Sequence, residues 1–119
     1  MKVDLVAAGR RAYAERAWVD AHDALTQASI VAPLDAGDME RLAWAGLLSG
    51  RDDASFQSFE RLYDLRLDAG ENLRAARSAI WLGLRLMSIG QIGRATGWLA
   101  RARRLVEAEG PECVECGYL

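Results

Sequence analysis

The chain has 119 residues, with 15 Lys and Arg against 17 Asp and Glu, for a formal net charge of −2. That length suits one domain with a real core, and the balanced charge leaves no positive field to attract nucleic acid or an anionic membrane. Ala and Leu dominate, Val, Ile and Thr are scarce, and no run of 18 apolar residues occurs, so the composition reads all-α without a membrane span.

The first helix is expected over about residues 3–16 and the second from Trp18–Asp20 to the residues before Pro33, which cannot continue a helix. Asp35 reads as the N-cap of the third, with Asp38 placed to favour the positive end of its dipole. Ser49-Gly50 closes that helix in the manner of a left-handed glycine turn. Asp52 and Asp53 open the fourth, which reaches about Ala69-Gly70. The fifth starts at Glu71 or Asn72 and ends at Ile89-Gly90. The sixth runs from about Gln91 to Glu109, where Gly110-Pro111 breaks it. Connections of two to four residues require antiparallel hairpins, at about 3–33, 35–69 and 72–109. Together these make a domain over 1–110, followed by a tail, 111–119, that could begin a further helix.

Three sets of residues share one internal spacing of 12, 4 and 3: Gly9, Ala21, Leu25, Ala28; Ala43, Ser55, Phe59, Leu62; and Gly83, Ala95, Leu99, Ala102. The sets are offset by 34 and then 40 residues, the range of a stacked helical repeat. Gly9 is expected to face Ala21, and Gly83 to face Ala95, so that paired backbones approach closely. Leu25, Phe59 and Leu99, one turn further on, are expected to fill the layer between hairpins.

This pattern resembles the tetratricopeptide repeat, whose 34-residue hairpins carry small residues at two close-approach positions and a large apolar residue four later. Gly9, Ala21, Leu25, Ala28 and Pro33 fall in register in the first hairpin, and Leu82, Gly83, Ala95, Leu99 and Ala102 in the third. The second departs, with Ala43 and Ser55 in place of Gly and Ala and no terminal proline. The resemblance covers about residues 3–109 and implies a right-handed α-solenoid of about three hairpins. Stretches such as Ala79-Ile80-Trp81-Leu82-Gly83-Leu84 and Gly97-Trp98-Leu99-Ala100-Arg101-Ala102 also look like repeat segments of actinobacterial LuxR-type transcription regulators. No helix-turn-helix module is present, so that likeness carries no DNA binding to any residue here.

In such arrays the first helix of each hairpin lines a concave groove. The resemblance therefore places Val6, Arg10 and Tyr13 there, then Glu40, Trp44 and Leu47, then Ile80, Trp81, Leu84 and Met87. The groove would be largely apolar, with Trp, Tyr and Met as anchors for a protein or peptide partner. Several of these positions could equally be core. The family's Lys and Asn carboxylate clamp is mostly absent, since Val6, Arg10 and Arg77 occupy the matching positions. Trp98 and Leu105 would be left partly open if no fourth hairpin follows, which points to self-association through that end.

Signals for chemistry are weak. Cys113 and Cys116 have half of a zinc-site spacing, read as free thiols or, alternatively, a zinc bridge between two chains. His22 reads as a surface or partly buried packing residue, with no nucleophile at motif spacing. Arg94, Arg101, Arg103 and Arg104 read as a solvated, ion-paired face or a contact for an acidic partner. No catalytic residue, metal or cofactor is expected. Met1-Lys2-Val3-Asp4 meets charge at once and Arg10-Arg11 interrupt any apolar stretch, so no signal peptide is expected; with only two cysteines, fewer than a disulfide-stapled secreted protein carries, a cytoplasmic location is expected. The expected role is a non-enzymatic interaction scaffold, the regulatory segment of a LuxR-type regulator. The alternatives are a sensor for a small apolar inducer and a dimerisation spacer.

Overall fold

The structure, a computed structural model, describes residues 2–109. Cys113, Cys116 and the tail 111–119 lie outside the described residues. The described chain is all-helical and without strands: α1 (Lys2–Ala14), α2 (Trp18–Val31), α3 (Ala36–Leu48), α4 (Asp52–Asp68), α5 (Asn72–Ser88) and α6 (Ile92–Glu109). It divides into two units, Met1–Phe59 and Glu60–Leu119, with the boundary inside α4.

Four of the five connections share one turn. After α3, Gly50 takes a positive φ of 81°, its N–H donates to the Leu47 carbonyl at 3.2 Å, and the Arg51 N–H reaches back to Gly46 at 2.8 Å. The same pair of bonds closes α4 at Gly70 and Glu71, and α5 at Gly90 and Gln91. Those bonds satisfy carbonyls that the helix end would leave bare, and they require a left-handed residue. Glycine supplies that conformation without steric cost. After α1 the place falls to Arg16, at φ 61°, with the equivalent bonds from Arg16 to Tyr13 and from Ala17 to Ala12. Helix α1 therefore stops at Ala14, two residues earlier than the sequence suggests.

The fifth connection differs. Ala32 is extended, Pro33 follows, and Asp35 caps α3 by accepting from the Asp38 N–H at 2.8 Å. A carboxylate there satisfies one of the orphan donors of the first turn.

In the first unit, α1 packs on α2, α2 on α3, and α1 on α3. Gly9 makes room for Leu25: a Cβ built on Gly9 would lie 2.6 Å from Leu25 Cγ. The nearest neighbour of Gly9 is thus Leu25, rather than the Ala21 expected from spacing. Side chains on a helix lean toward its N-terminus, so Leu25 reaches back over the turn that carries Ala21. Leu25 accordingly fills space inside its own hairpin.

In the second unit α5 packs on α6, and Gly83 has the same relationship to Leu99, with Cγ 2.8 Å from a built Cβ. Here the backbone approach is also close, since the Ala95 carbonyl oxygen would lie at 3.3 Å. Tyr63, Ala75, Ala76, Ala79, Ile80, Ala102 and Val106 form a core cluster of this unit, in which Leu62, Leu82 and Leu86 are also fully buried.

The hairpin of α3 and the first part of α4 solves the contact differently. Ser55 donates its hydroxyl to the Ala43 carbonyl at 2.9 Å. The close approach passes to Gly46, where a Cβ would meet His22 Cδ2 at 3.2 Å and Ser55 Cβ at 3.3 Å.

Candidate functional site

The residues expected to line a groove fall into both units, and each set is described within its own. In the first unit, α1 presents Val6, Arg10 and Tyr13. Val6 is buried, Arg10 is exposed and Tyr13 is half-buried. Arg10 grips Asp38 of α3 with two parallel bonds, Nε to Oδ1 and Nη2 to Oδ2, both 2.8 Å. Arg41 adds a third at 3.1 Å. The Asp38 side chain is only 4% exposed, so its charge depends on these donors. The bond from Arg10 holds the carboxyl below the usual aspartate range, outweighing the opposite effect of burial.

Glu40, the acidic residue expected in this groove, is exposed, and the buried anion of the region is Asp38, expected only as a partner for the helix dipole. The signal that could have found Asp38 is its position one turn past a capping Asp, within reach of Arg10 of α1. Glu40 still acts on Tyr13: burial first, and then the Glu40 charge, push the phenol above its ordinary value. The Tyr13 ring meets Trp18 edge-on at 5.3 Å, and half-buried Trp44 meets Phe59 edge-on at 5.4 Å. Leu47 is half-buried.

Between α1 and the start of α3 lies a recess of about 350 Å³. It is lined by Val3, Val6, Ala7 and Arg10 of α1 and by Asp35 and Asp38 at the start of α3. Apolar bulk next to a few polar groups is the general character of a small-molecule site.

In the second unit the α5 residues separate sharply. Ile80 is 1% exposed and lies in the core cluster. Tyr63 of α4 and Ala102 and Val106 of α6 belong to the same cluster, which widens the buried arc of α5 beyond a single stripe. Trp81, Leu84 and Met87 are 39%, 45% and 42% exposed, a turn apart along one outer face. Trp98 and Leu105 are partly buried against the core of their own unit. Trp98 meets Tyr63 edge-on at 5.1 Å and carries the Arg101 guanidinium 4.4 Å above its ring. Of the remaining basic residues on α6, Arg94 bonds Glu60 and Gln91.

His22 is more deeply placed than the sequence suggests, at 8% exposure. Its Nδ1 lies 2.7 Å from Nη1 of Arg51, which also bonds Asp23 at 2.7 Å. A guanidinium can only donate, so Nδ1 is the acceptor and the ring is neutral with its proton on Nε2. Burial, and then the Arg51 charge, lower the imidazole's affinity for a second proton.

Among the described residues no group of three or more His, Cys, Asp or Glu is placed to hold a metal ion. No described helix is long and apolar enough to cross a membrane. Comparison with known protein families, with curated proteins and with solved structures finds no match to this chain.

Proposed function

We propose that this chain is a non-enzymatic interaction scaffold built from tetratricopeptide-like hairpins of an α-solenoid. In this reading it is a cytoplasmic, regulatory segment of a LuxR-type bacterial regulator and does not itself bind nucleic acid. The observation that carries it is the outer face of α5, where Trp81, Leu84 and Met87 stand exposed together. Three large apolar side chains clustered on one helix face are the usual mark of a contact surface, and Trp is the commonest anchor in such surfaces. The reading is supported by the recurrence of a leucine seated on a glycine in the first and last hairpins.

The test is crosslinking from a photoreactive residue placed at Leu84, with Trp81→Ser as comparison and circular dichroism to show that both chains are folded. Recovery of a discrete partner by the former and its loss in the latter supports the scaffold. Equal recovery from both, or none from either, contradicts it. Self-association through Trp98 and Leu105 is read from sedimentation of the same samples: a mass that does not change with concentration removes it.

A second reading, a sensor for a small apolar inducer, is favoured by the recess lined by Val3, Val6, Ala7 and the Arg10–Asp38 pair. A thermal shift with small amphipathic metabolites, lost in Val6→Asp, would select it over the scaffold.

A further inference from the structure

The geometry points to a proton-operated clasp in the first unit, in which neutral His22 on α2 holds Arg51 of the α3–α4 turn and protonated His22 releases it. Arg51 sits at the residue after Gly50, where its own N–H completes the turn by bonding Gly46. Its side chain crosses to α2 and divides the two hydrogens of Nη1 between His22 Nδ1 and Asp23 Oδ1, each at 2.7 Å. One guanidinium nitrogen thus ties the turn to two adjacent residues of another helix.

Protonation reverses this arrangement. A proton added at Nδ1 removes the lone pair that Arg51 uses, and sets two cationic donors against each other at hydrogen-bond distance. Asp23 Oδ1 lies 3.9 Å from Nδ1, close enough to take the new N–H after a small rotation. The carboxylate then changes partner from arginine to imidazolium, and the turn loses its tie to α2.

Groups from α2, α3, the α3–α4 turn and α4 lie around His22. From α2 the charged neighbour is Asp23 and from the α3–α4 turn it is Arg51. From α3 the ring meets Gly46, which carries no side chain. From α4 the neighbour across Gly46 is Ser55, whose hydroxyl is committed to the Ala43 carbonyl. Burial and the Arg51 charge both act against the second proton and outweigh the pull of Asp23. The clasp is therefore closed at neutral pH and opens on the acid side of the ordinary histidine range near 6.5.

The sign follows from proton counting. The unfolded chain takes up the proton at its ordinary value, while the folded chain resists it. Stability is complete above about pH 6.5 and falls as the pH drops from there through the folded-state value. Each pH unit separating the two midpoints lowers the folded-to-unfolded ratio about tenfold.

The experiment uses the full chain labelled with ¹⁵N. Two-bond proton–nitrogen correlations of the His22 ring give its tautomer and its titration midpoint, and urea unfolding is followed between about pH 7.5 and about pH 5. The expected result is an Nε2–H tautomer at neutral pH, a midpoint below that of free histidine, and loss of the bonded Arg51 Nη signal through that midpoint. Arg51→Met should raise the midpoint, and Asp23→Asn should lower it. His22→Asn keeps an oxygen acceptor close to the place of Nδ1 without a titrating group. It should flatten the part of the urea midpoint's pH dependence that lies in this range. An Nδ1–H tautomer at neutral pH overturns the clasp. So does a midpoint that ignores both neighbouring substitutions, or an undiminished pH slope in His22→Asn. Should Arg51→Met fail to fold, the tautomer and the Asp23→Asn shift decide the question in chains that retain Arg51.

Discussion

The Ser55 hydroxyl donates to the main-chain carbonyl of Ala43 across 2.9 Å, twelve residues back along the chain. The same step separates Gly83 from Ala95, where a Cβ built on the glycine would lie 3.3 Å from the Ala95 carbonyl oxygen. A hydroxyl thus fills the middle position that alanine fills elsewhere. Ser55→Ala should cost about 1 kcal/mol, the net worth of one buried hydrogen bond. Ser55→Leu at this fully buried position should cost about 1–3 kcal/mol or more through overpacking. Urea unfolding of the two variants beside wild type distinguishes these outcomes by their order.

Helix glycines should separate into two groups on substitution. Gly9→Ala drives a methyl to 2.6 Å from the branch carbon of fully buried Leu25, and Gly83→Ala to 2.8 Å from that of Leu99. The gain in helix propensity, about 1 kcal/mol, is outweighed by about 1–3 kcal/mol of overpacking. Gly93 and Gly97 on α6 have nothing within 4 Å of a built Cβ and no positive φ. Gly93→Ala and Gly97→Ala should therefore stabilise, by about 0.4–1 kcal/mol each. In a Leu25→Ala background the Gly9→Ala penalty should vanish, a coupling that a double-mutant cycle measures directly.

Acid should unfold the first unit partly through Asp38. Its carboxyl sits below the ordinary aspartate value because Arg10 and Arg41 donate to the ionised form. A lowered carboxylate contributes stability that is complete above the unfolded value near 3.8 and is lost as the pH falls through the folded one. Arg10→Met should bring the Asp38 midpoint back up and lower stability at neutral pH, while Asp38→Asn should remove this component of the acid transition. Carboxyl ¹³C shifts report the midpoint, and fluorescence-detected acid unfolding reports the stability.

Arg16→Gly should raise the thermal midpoint. Arg16 occupies the left-handed position that Gly50, Gly70 and Gly90 occupy in the matching turns. A side chain there costs about 1–2 kcal/mol, part of which glycine gives back through the freedom of the unfolded chain. The expected gain is up to about 1 kcal/mol, and the reverse substitution, Gly90→Ala, should lose a comparable amount. A calorimetric scan of both variants checks the pair of signs.

Helix ends were readable wherever a residue is dedicated to ending a helix. Pro33, Asp35, Gly50, Gly70 and Gly90 each mark a boundary that the structure has within one or two residues. Arg16 does not, because nothing in an arginine announces a left-handed backbone. Spacing located the close contacts and named the partners at Gly83–Ala95 and Ala43–Ser55, but not at Gly9. Ala21 and Leu25 lie on one face a turn apart, and only the backward lean of helical side chains selects Leu25 to cover Gly9. Period alone likewise placed Ile80 beside Trp81, while its burial depends on Tyr63, Ala102 and Val106 from two other helices. The Arg10–Asp38 and Arg51–His22 pairs join residues 28 and 29 apart, separations to which helical periodicity is blind.

Four of the seven side chains in the core cluster of the second unit, Ala75, Ala76, Ala79 and Ala102, are alanine. A methyl group is the smallest side chain that can be trimmed, so truncation at Ala75, Ala76, Ala79 or Ala102 creates almost no void. Those alanine positions are nearly immune to loss and vulnerable to growth, whereas the fully buried Leu62, Ile80, Leu82 and Leu86 of the same unit remain open to truncation. Over evolutionary drift the damaging change at those alanines would be the addition of a carbon, the reverse of a position held by leucine or phenylalanine.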